Sequence, residues 1–295
     1  MFFFVYFILI CHLKFAESQP CNGNEALCSR KYSDVTQIGT HDSAFVGDLP
    51  TQNQIYSVSE QLVSGIRFLQ AQTHVKDGAL QMCHTSCQLE DAGTLLSYLS
   101  TIKYFLDMNP NEVVTLLLTN GDRTPAASFG MAMESSGLAK YAYVPPKKLA
   151  MNEWPTLKEL ITANTRLVMF LDYGADTSAV PYMLNEFEYF FETAFDITDA
   201  NFTSCALDRP GGSNGAGLMM LKQLVNHFLD VDLFGGIVIP DREASPRTNA
   251  ATGPGSIGAH ADLCKQTWGR KPNMILIDYF GNGDAMAAQN TLNGF

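Results

Sequence analysis

Basic residues are scarce in this chain. Its 295 residues include 19 Lys and Arg against 30 Asp and Glu, a net charge of -11, and the basic residues form no cluster. A nucleic-acid partner is disfavoured, because a phosphate backbone is neutralised by basic patches. Strong electrostatic attachment to anionic membranes is disfavoured on the same ground. Low-complexity blocks and short-period repeats are missing. Charged residues are only 17% against 46% hydrophobic, which suits a packed globular chain rather than a disordered one. No hydrophobic tail closes the C-terminus, so a lipid anchor added there is not expected. The opening apolar block, Met1 to Ile10, is too short to span a bilayer comfortably.

That block is followed by Ala16-Glu17-Ser18, with small residues at the two positions a signal peptidase reads. Residues 1–18 are therefore expected to be a secretory signal, although the segment before the block lacks a positive charge. The mature unit would be residues 19–295, secreted and extracellular. Cys11 falls in the leader, leaving Cys21, Cys28, Cys83, Cys87, Cys205 and Cys264. An even count in an exported chain suggests disulfides. Many pairings are possible; local spacing favours Cys21–Cys28 and Cys83–Cys87, leaving Cys205–Cys264. A zinc site at Cys83-His84-Thr85-Ser86-Cys87 is the rival, disfavoured in an oxidising compartment. Asn201-Phe202-Thr203 is a glycosylation sequon, expected on a surface loop.

Along the chain, apolar runs of strand length alternate with helical patterns. Strands are expected at Val35–Ile38, Ile66–Gln72, Leu80–Met82, Val113–Thr119, Leu167–Leu171 and Met274–Ile277. Tyr189–Phe191 and a segment within Leu218–Asn226 read as either strand or helix. Leu95, Leu99, Ile102 and Leu106 fall at helical spacing, and Asn109-Pro110 ends that helix. A shorter helix opens at Trp154-Pro155-Thr156 and runs through Leu157, Leu160 and Ile161. About eight strands, mostly parallel in pattern, predict an α/β fold with a single TIM-type (β/α)8 barrel, regular or irregular. An open doubly wound sheet is the rival, but no glycine-rich fingerprint follows the first strand.

In such a barrel, reactive groups project from the carboxyl ends of strands. The candidates there are His41 and Asp42, Gln70 and Gln72, His84, Asn120, Asp172 and Asp278. Alternation puts Gln70 and Gln72 on one strand face and Arg67 on the other, where a structural ion pair is expected. The first and last strands of a closed barrel are neighbours, so Asp278 can lie beside His41 and fix its tautomer. His74 and His227 are expected at the surface or the edge of the core.

Several runs together resemble the phosphatidylinositol-specific phospholipase C superfamily, and within it the secreted PLC-like phosphodiesterases of fungi and similar microbes. They include Gly39-Thr40-His41-Asp42-Ser43, Gly65-Ile66-Arg67-Phe68-Leu69-Gln70-Ala71-Gln72, Cys83-His84-Thr85-Ser86-Cys87, Leu207-Asp208-Arg209-Pro210 and Val225-Asn226-His227-Phe228-Leu229. The resemblance spans nearly the whole mature chain. It implies a TIM-type barrel that cleaves a phosphodiester or phospholipid headgroup, with transient contact at a membrane surface. His41 matches the general base and His84 the general acid, Asp278 the carboxylate partner of His41, and Asp42 the Asp that follows the first histidine in bacterial members. Gln70, Gln72, Asn120 and Asp172 are the expected substrate contacts. Bacterial relatives carry an Asp and an Arg, and animal relatives two acidic calcium ligands, where this chain has Gln70 and Gln72. A hard cation normally takes carboxylate oxygens, so neither a metal nor a cofactor is expected. Arg123 and Lys222 are candidates to replace the missing positive charge. Two other functions stay open: a barrel that has lost catalysis and binds a polyol, glycan or lipid headgroup, and a metal-dependent phosphodiesterase.

Overall fold

In a computed structural model of the chain, residues 20–212, 221–234 and 236–295 are described. The expected leader, residues 1–18, lies outside them, as do residues 218–220 of the segment left between strand and helix.

Eight parallel strands form the core ladder. In chain order they are β1 (Gln37–Thr40), β2 (Phe68–Lys76), β5 (Val114–Asn120), β6 (Leu167–Leu171), β7 (Met183–Asn185), β8 (Phe190–Glu192), β9 (Lys222–Asn226) and β12 (Met274–Ile277). Their spatial order is β7-β6-β5-β2-β1-β12-β9-β8, the wrap-around order of a TIM-type barrel. The ring is irregular. β7 and β8 are joined by a short 3-10 turn, Glu186–Glu188, and among the described residues no ladder links them. Tyr189–Phe191 and the segment before Asn226 thus resolve as strands.

The apolar runs become strands because both faces are covered. Leu116, Leu118, Met169, Leu171, Ile275 and Ile277 pack outward beneath the helices. Leu117, Val168, Phe170, Met274 and Leu276 fill the barrel interior with Tyr32 and Trp154. The outer layer includes α2 (Leu95–Met108), whose Leu95, Leu99, Ile102 and Leu106 are buried, and α6 (Ile257–Trp268). Shorter helices are α1 (Val58–Val63), α3 (Ala126–Ser136), α4 (Leu157–Thr162), α5 (Ser245–Thr248) and α7 (Ala285–Asn293). Gly39 has no substitute in β1: a Cβ there would stand 2.2 Å from the Phe68 ring.

One strand departs from expectation. The run before His84, β3 (Ala79–Cys83), is not a barrel strand but pairs antiparallel with β2, Thr73 opposite Met82. Asp77 and Gly78, both with positive φ, make the reversal. Asp-Gly between two strand-like runs is a hairpin signal, and a two-residue turn of this kind matches strand twist. β3 continues onto β4 (Asp91–Thr94). His84 therefore enters the barrel mouth from an overhanging ribbon.

The three disulfides are Cys21–Cys28, Cys83–Cys87 and Cys205–Cys264, as spacing suggested. With its sulfurs bonded to each other, the Cys83–Cys87 segment has no thiolate for zinc. A second small sheet, β10 (Asp230–Phe234) with β11 (Ile237–Pro240), stands at the barrel rim and exposes Leu233, Phe234 and Ile237. No helix among the described residues is long and apolar enough to cross a membrane.

Candidate active site

A cavity of about 620 Å³ opens at the carboxyl ends of the strands. His41, Gln70, Gln72, His84, Asp172 and Arg209 are among its lining residues.

Strand register builds the histidine end. Thr40 of β1 pairs with Ile277 of β12, so the next residues, His41 and Asp278, come side by side. His41 Nδ1 donates to Asp278 Oδ1 at 2.9 Å, and Asn53 Nδ2 donates to the other carboxylate oxygen at 3.1 Å. That leaves His41 Nε2 facing the cavity without a bond to Asp278. It lies 3.4 Å from Asp42 Oδ2, and His84 Nε2 lies 3.4 Å from the same oxygen. His84 Nδ1 is 2.9 Å from the Thr51 carbonyl, which only accepts, so this nitrogen carries a proton. The two Nε2 atoms thus face one shared carboxylate. Each ring is also clamped by an aromatic one: Phe228 stacks on His41 at 3.7 Å and Phe45 on His84 at 5.1 Å.

Asp42 is wholly buried and adopts a positive φ of 43°. Asp tolerates this region better than most side chains. The two glutamines explain how the carboxylate is held. Gln72 donates from its backbone N and its Nε2 to the two Asp42 oxygens, at 3.1 and 2.9 Å. Gln70 Oε1 accepts the Asp42 N–H at 2.7 Å. Gln72 Oε1 accepts the Thr85 N–H at 3.1 Å, tying the His84 loop to β2. Both amide atoms of Gln72 are therefore used inside the protein, and its geometry is that of a positioning residue.

Electrostatics favours protonated His41. Burial opposes the charge, but Asp42, Asp278 and the hydrogen bond to Asp278 outweigh it, raising the pKa to about 9. Burial pushes Asp278 up, and His41 pulls it back. Asp230, at the start of β10, also borders the cavity; burial and the nearby Asp278 raise it to about 7.

Other expected residues are placed differently. Asn120 does not line the cavity: its amide donates to the Thr124 and Tyr173 carbonyls and accepts from Thr124 N, so it braces loops. Asp172 does border the cavity, at its far end. Neither proposed cation reaches the site. Arg123 lies on the Tyr173 ring at 3.9 Å, and Lys222 is sealed in the barrel floor with its ammonium 3.5 Å from the Trp154 ring. Burial holds the Lys222 pKa well below its usual value. The cavity's arginine is instead Arg209, ion-paired with Glu192. Its signal was the Leu207-Asp208-Arg209-Pro210 run, whose Arg209–Pro210 bond is cis. Arg67 pairs with Glu112 at 2.6 Å on the outer side, as alternation required. His74 borders the cavity and pairs with Asp122 at 2.8 Å. His227 is fully buried, hydrogen-bonded to His260 and to the Thr248 carbonyl, each at 2.9 Å.

Comparison with known proteins agrees with this fold. The family model for the PI-PLC X domain matches residues 27–293. The chain belongs to the PI-PLC X-domain family. A PI-PLC X domain-containing protein 1 of Arthroderma benhamiae is 51% identical over 289 residues, covering 97% of this chain and 93% of that one. A protein of the same fungus named as an uncharacterized secreted protein is 41% identical, covering 90% of this chain and 61% of that one. Among solved structures, the phosphatidylinositol-specific phospholipase C of Listeria monocytogenes superposes with a TM-score of 0.59 at 18% identity, covering 91% of this chain and 96% of that one. A Staphylococcus aureus phosphatidylinositol-specific phospholipase C superposes with a TM-score of 0.57 at 16% identity, covering 90% and 93%. The PI-PLC X-domain fold of this chain is thus a phosphodiesterase-type barrel, with three disulfides that suit an extracellular setting.

Proposed function

We propose that the chain is a secreted phosphoric diester hydrolase of the phosphatidylinositol-specific phospholipase C type, acting by general acid–base catalysis between two histidines. The observation that carries this reading is the single Asp42 oxygen 3.4 Å from Nε2 of both His41 and His84. His41 Nε2 takes the proton of the inositol 2-hydroxyl. That oxygen forms a bond to phosphorus while the bond from phosphorus to the diacylglycerol oxygen breaks. His84 Nε2 gives its proton to that leaving oxygen. The product is a cyclic phosphodiester, which water opens with the two rings exchanging roles. Asp278 holds His41 in the required tautomer, and imidazolium next to the phosphoryl oxygens offsets some of their charge. Each of these tasks falls to a residue of this chain, and none calls on a metal.

Secretion is supported by the disulfides, the relative named as secreted, the leader expected at residues 1–18 and the exposed sequon residue Asn201. The rim hairpin supports contact with a lipid surface: Phe234 is 87% exposed beside the cavity-lining Ile237 and Val238.

The test is cleavage of phosphatidylinositol vesicles by the mature chain, followed by phosphorus NMR with and without chelator. Cyclic phosphate is expected first, at a rate the chelator leaves unchanged. No product under any metal condition would overturn catalysis and favour the second reading, a headgroup-binding barrel, which draws on the neutral Gln70 and Gln72. Joint replacement Leu233→Ser and Phe234→Ser is expected to slow turnover on vesicles about tenfold by removing apolar anchoring. Turnover of a monomeric short-chain substrate should stay level; an equal fall on both substrates would rule out an anchoring role for the hairpin.

A further inference from the structure

The alternation of β9 continues past its last ladder pair, Asn226 with Leu276, and sends two rings to opposite sides. Phe228 turns into the cavity, where it stacks on His41 with the two planes 4° apart. His227 turns outward and is buried against His260 of α6. The His227 backbone N–H donates to the Leu276 carbonyl of β12 at 2.9 Å. Its Nε2 faces the carbonyl of Thr248, the last residue of α5, at 2.9 Å. A carbonyl only accepts, so Nε2 carries the proton of the ring. The bond between the Nδ1 atoms of His227 and His260 needs a further proton, and burial opposes the charge it would bring. The Thr248 bond is therefore the one that orients a neutral His227. Leucine would fill this place without the cost of burying an imidazole. The direction that the hydrogen bond imposes is the feature to explain.

We infer that His227 is a positioning residue for His41, setting both the stack of Phe228 and the place of Asp278. Two lines lead from His227 to His41. The first is Phe228, the next residue in the chain. Rolling His227 about the chain axis tilts the ring that lies 3.7 Å from the His41 imidazole. The second runs through Thr248. Its neighbour Asn249 donates from Nδ2 to the Asp278 carbonyl at 2.7 Å, and Asp278 Oδ1 accepts from His41 Nδ1 at 2.9 Å. The ring covering His41 and the clamp on its carboxylate partner are thus each one residue from a group that His227 fixes. A satisfied polar contact in a buried layer specifies one arrangement where apolar packing allows several. Phe202 closes over the His227 and His260 rings at 4.1 and 5.2 Å, which leaves them little room to turn. The consequence falls on the charge of His41. Its protonated form is favoured by Asp42, Asp278 and Asp230 against burial, and by the aromatic face above it. Of these, the Asp278 contact and the aromatic face depend on His227. The inference rests on the reading of His41 as general base; His227 itself is buried and touches no substrate.

The experiment follows His41 in the whole mature chain by NMR of the histidine rings against pH. Steady-state kinetics on a monomeric short-chain phosphatidylinositol run beside it. His227→Leu keeps the bulk and removes the donor to Thr248. It should lower kcat about tenfold, the worth of one buried hydrogen bond, with KM within about twofold. The titration of His41, near 9 in the wild type, should fall by about one pH unit in both measurements. His227→Gln, whose amide nitrogen can stand where Nε2 stood, should recover most of both effects. If the leucine variant does not fold, His227→Asn takes its place, because its shorter amide withdraws the donor from Thr248. A role in stability alone would lower the thermal midpoint and leave the His41 titration unmoved, and that result overturns the inference. A titration moved as far by Gln as by Leu also overturns it, since the Thr248 bond would then have no effect. The catalytic reading is judged separately by cleavage: a chain without turnover whose His41 titration moves as expected keeps the positioning and loses the mechanism.

Discussion

His41→Ala is expected to lower kcat on phosphatidylinositol about a thousandfold while KM moves only a few-fold. General acid–base groups typically contribute about a hundred- to ten-thousandfold, and here one ring is asked to start the reaction and then to finish it. The geometry isolates the effect. Only Nε2 of His41 is open to a substrate, because Nδ1 is committed to Asp278 at 2.9 Å and the ring face to Phe228 at 3.7 Å. His84→Ala should give a loss of similar size, since its Nε2 shares the same Asp42 oxygen. The double variant should be scarcely worse than either single one, because a base and an acid that serve the same transition state act as a unit. Steady-state kinetics on the three variants checks this. Undiminished turnover in both single variants would sink the assignment of the site.

Asp278→Asn should change the pH profile as well as the rate. Asn keeps the size of the side chain but can accept from only one of His41 Nδ1 and Asn53 Nδ2, and a charge that favours imidazolium is gone. His41, now raised to about 9, should fall towards its ordinary 6.5. A base works only when unprotonated, so kcat/KM of the wild type should climb with pH to a limb near 9. In the variant that limb should move to lower pH, with the maximal rate down by about a hundredfold as the ring loses its orienting carboxylate. The sign on stability is opposite to that on activity. His41 has a raised folded pKa, so its stabilising contribution is complete below 6.5 and is lost as pH rises through about 9. Thermal midpoints of the wild type should therefore drop across that window, and those of Asp278→Asn should drop less. A limb that stays put in the variant would show that Asp278 does not set the protonation of His41.

Much of the framework was legible because burial writes itself into composition. Leu167–Leu171 and Met274–Ile277 are strands to the residue, since both faces of each are covered by apolar neighbours. The adjacency of β1 and β12 followed from barrel closure, and with it the pairing of His41 and Asp278. What stayed hidden depends on where polar side chains spend their hydrogen bonds, which no periodicity records. Gln72 and Asn120 look alike in sequence as amides near strand ends, yet one holds Asp42 and the other braces the Thr124 and Tyr173 loops. The hairpin beneath His84 was signalled by Asp77-Gly78, but the apolar run after it reads equally well as a barrel strand. Arg209 lies within the Leu207-Asp208-Arg209-Pro210 run, and only the bridge between Glu192 and Arg209 brings it to the cavity.

The unpaired seam between β7 and β8 makes the barrel a split ring rather than a hoop. In the ladder order, β2 and β1 lie at the middle and β7 and β8 at the two ends. Dilating a split ring costs least at the cut and disturbs the opposite side least. Asp42 and His41 follow the mid-ladder strand β1, whereas Glu186 sits on the turn that spans the cut. On the proposed mechanism, bond-making is anchored on the stiffest arc, and the turn at the cut lies on the arc that yields. Insertions or exchanges in Glu186–Glu188 are therefore expected to disturb the histidine end of the barrel least.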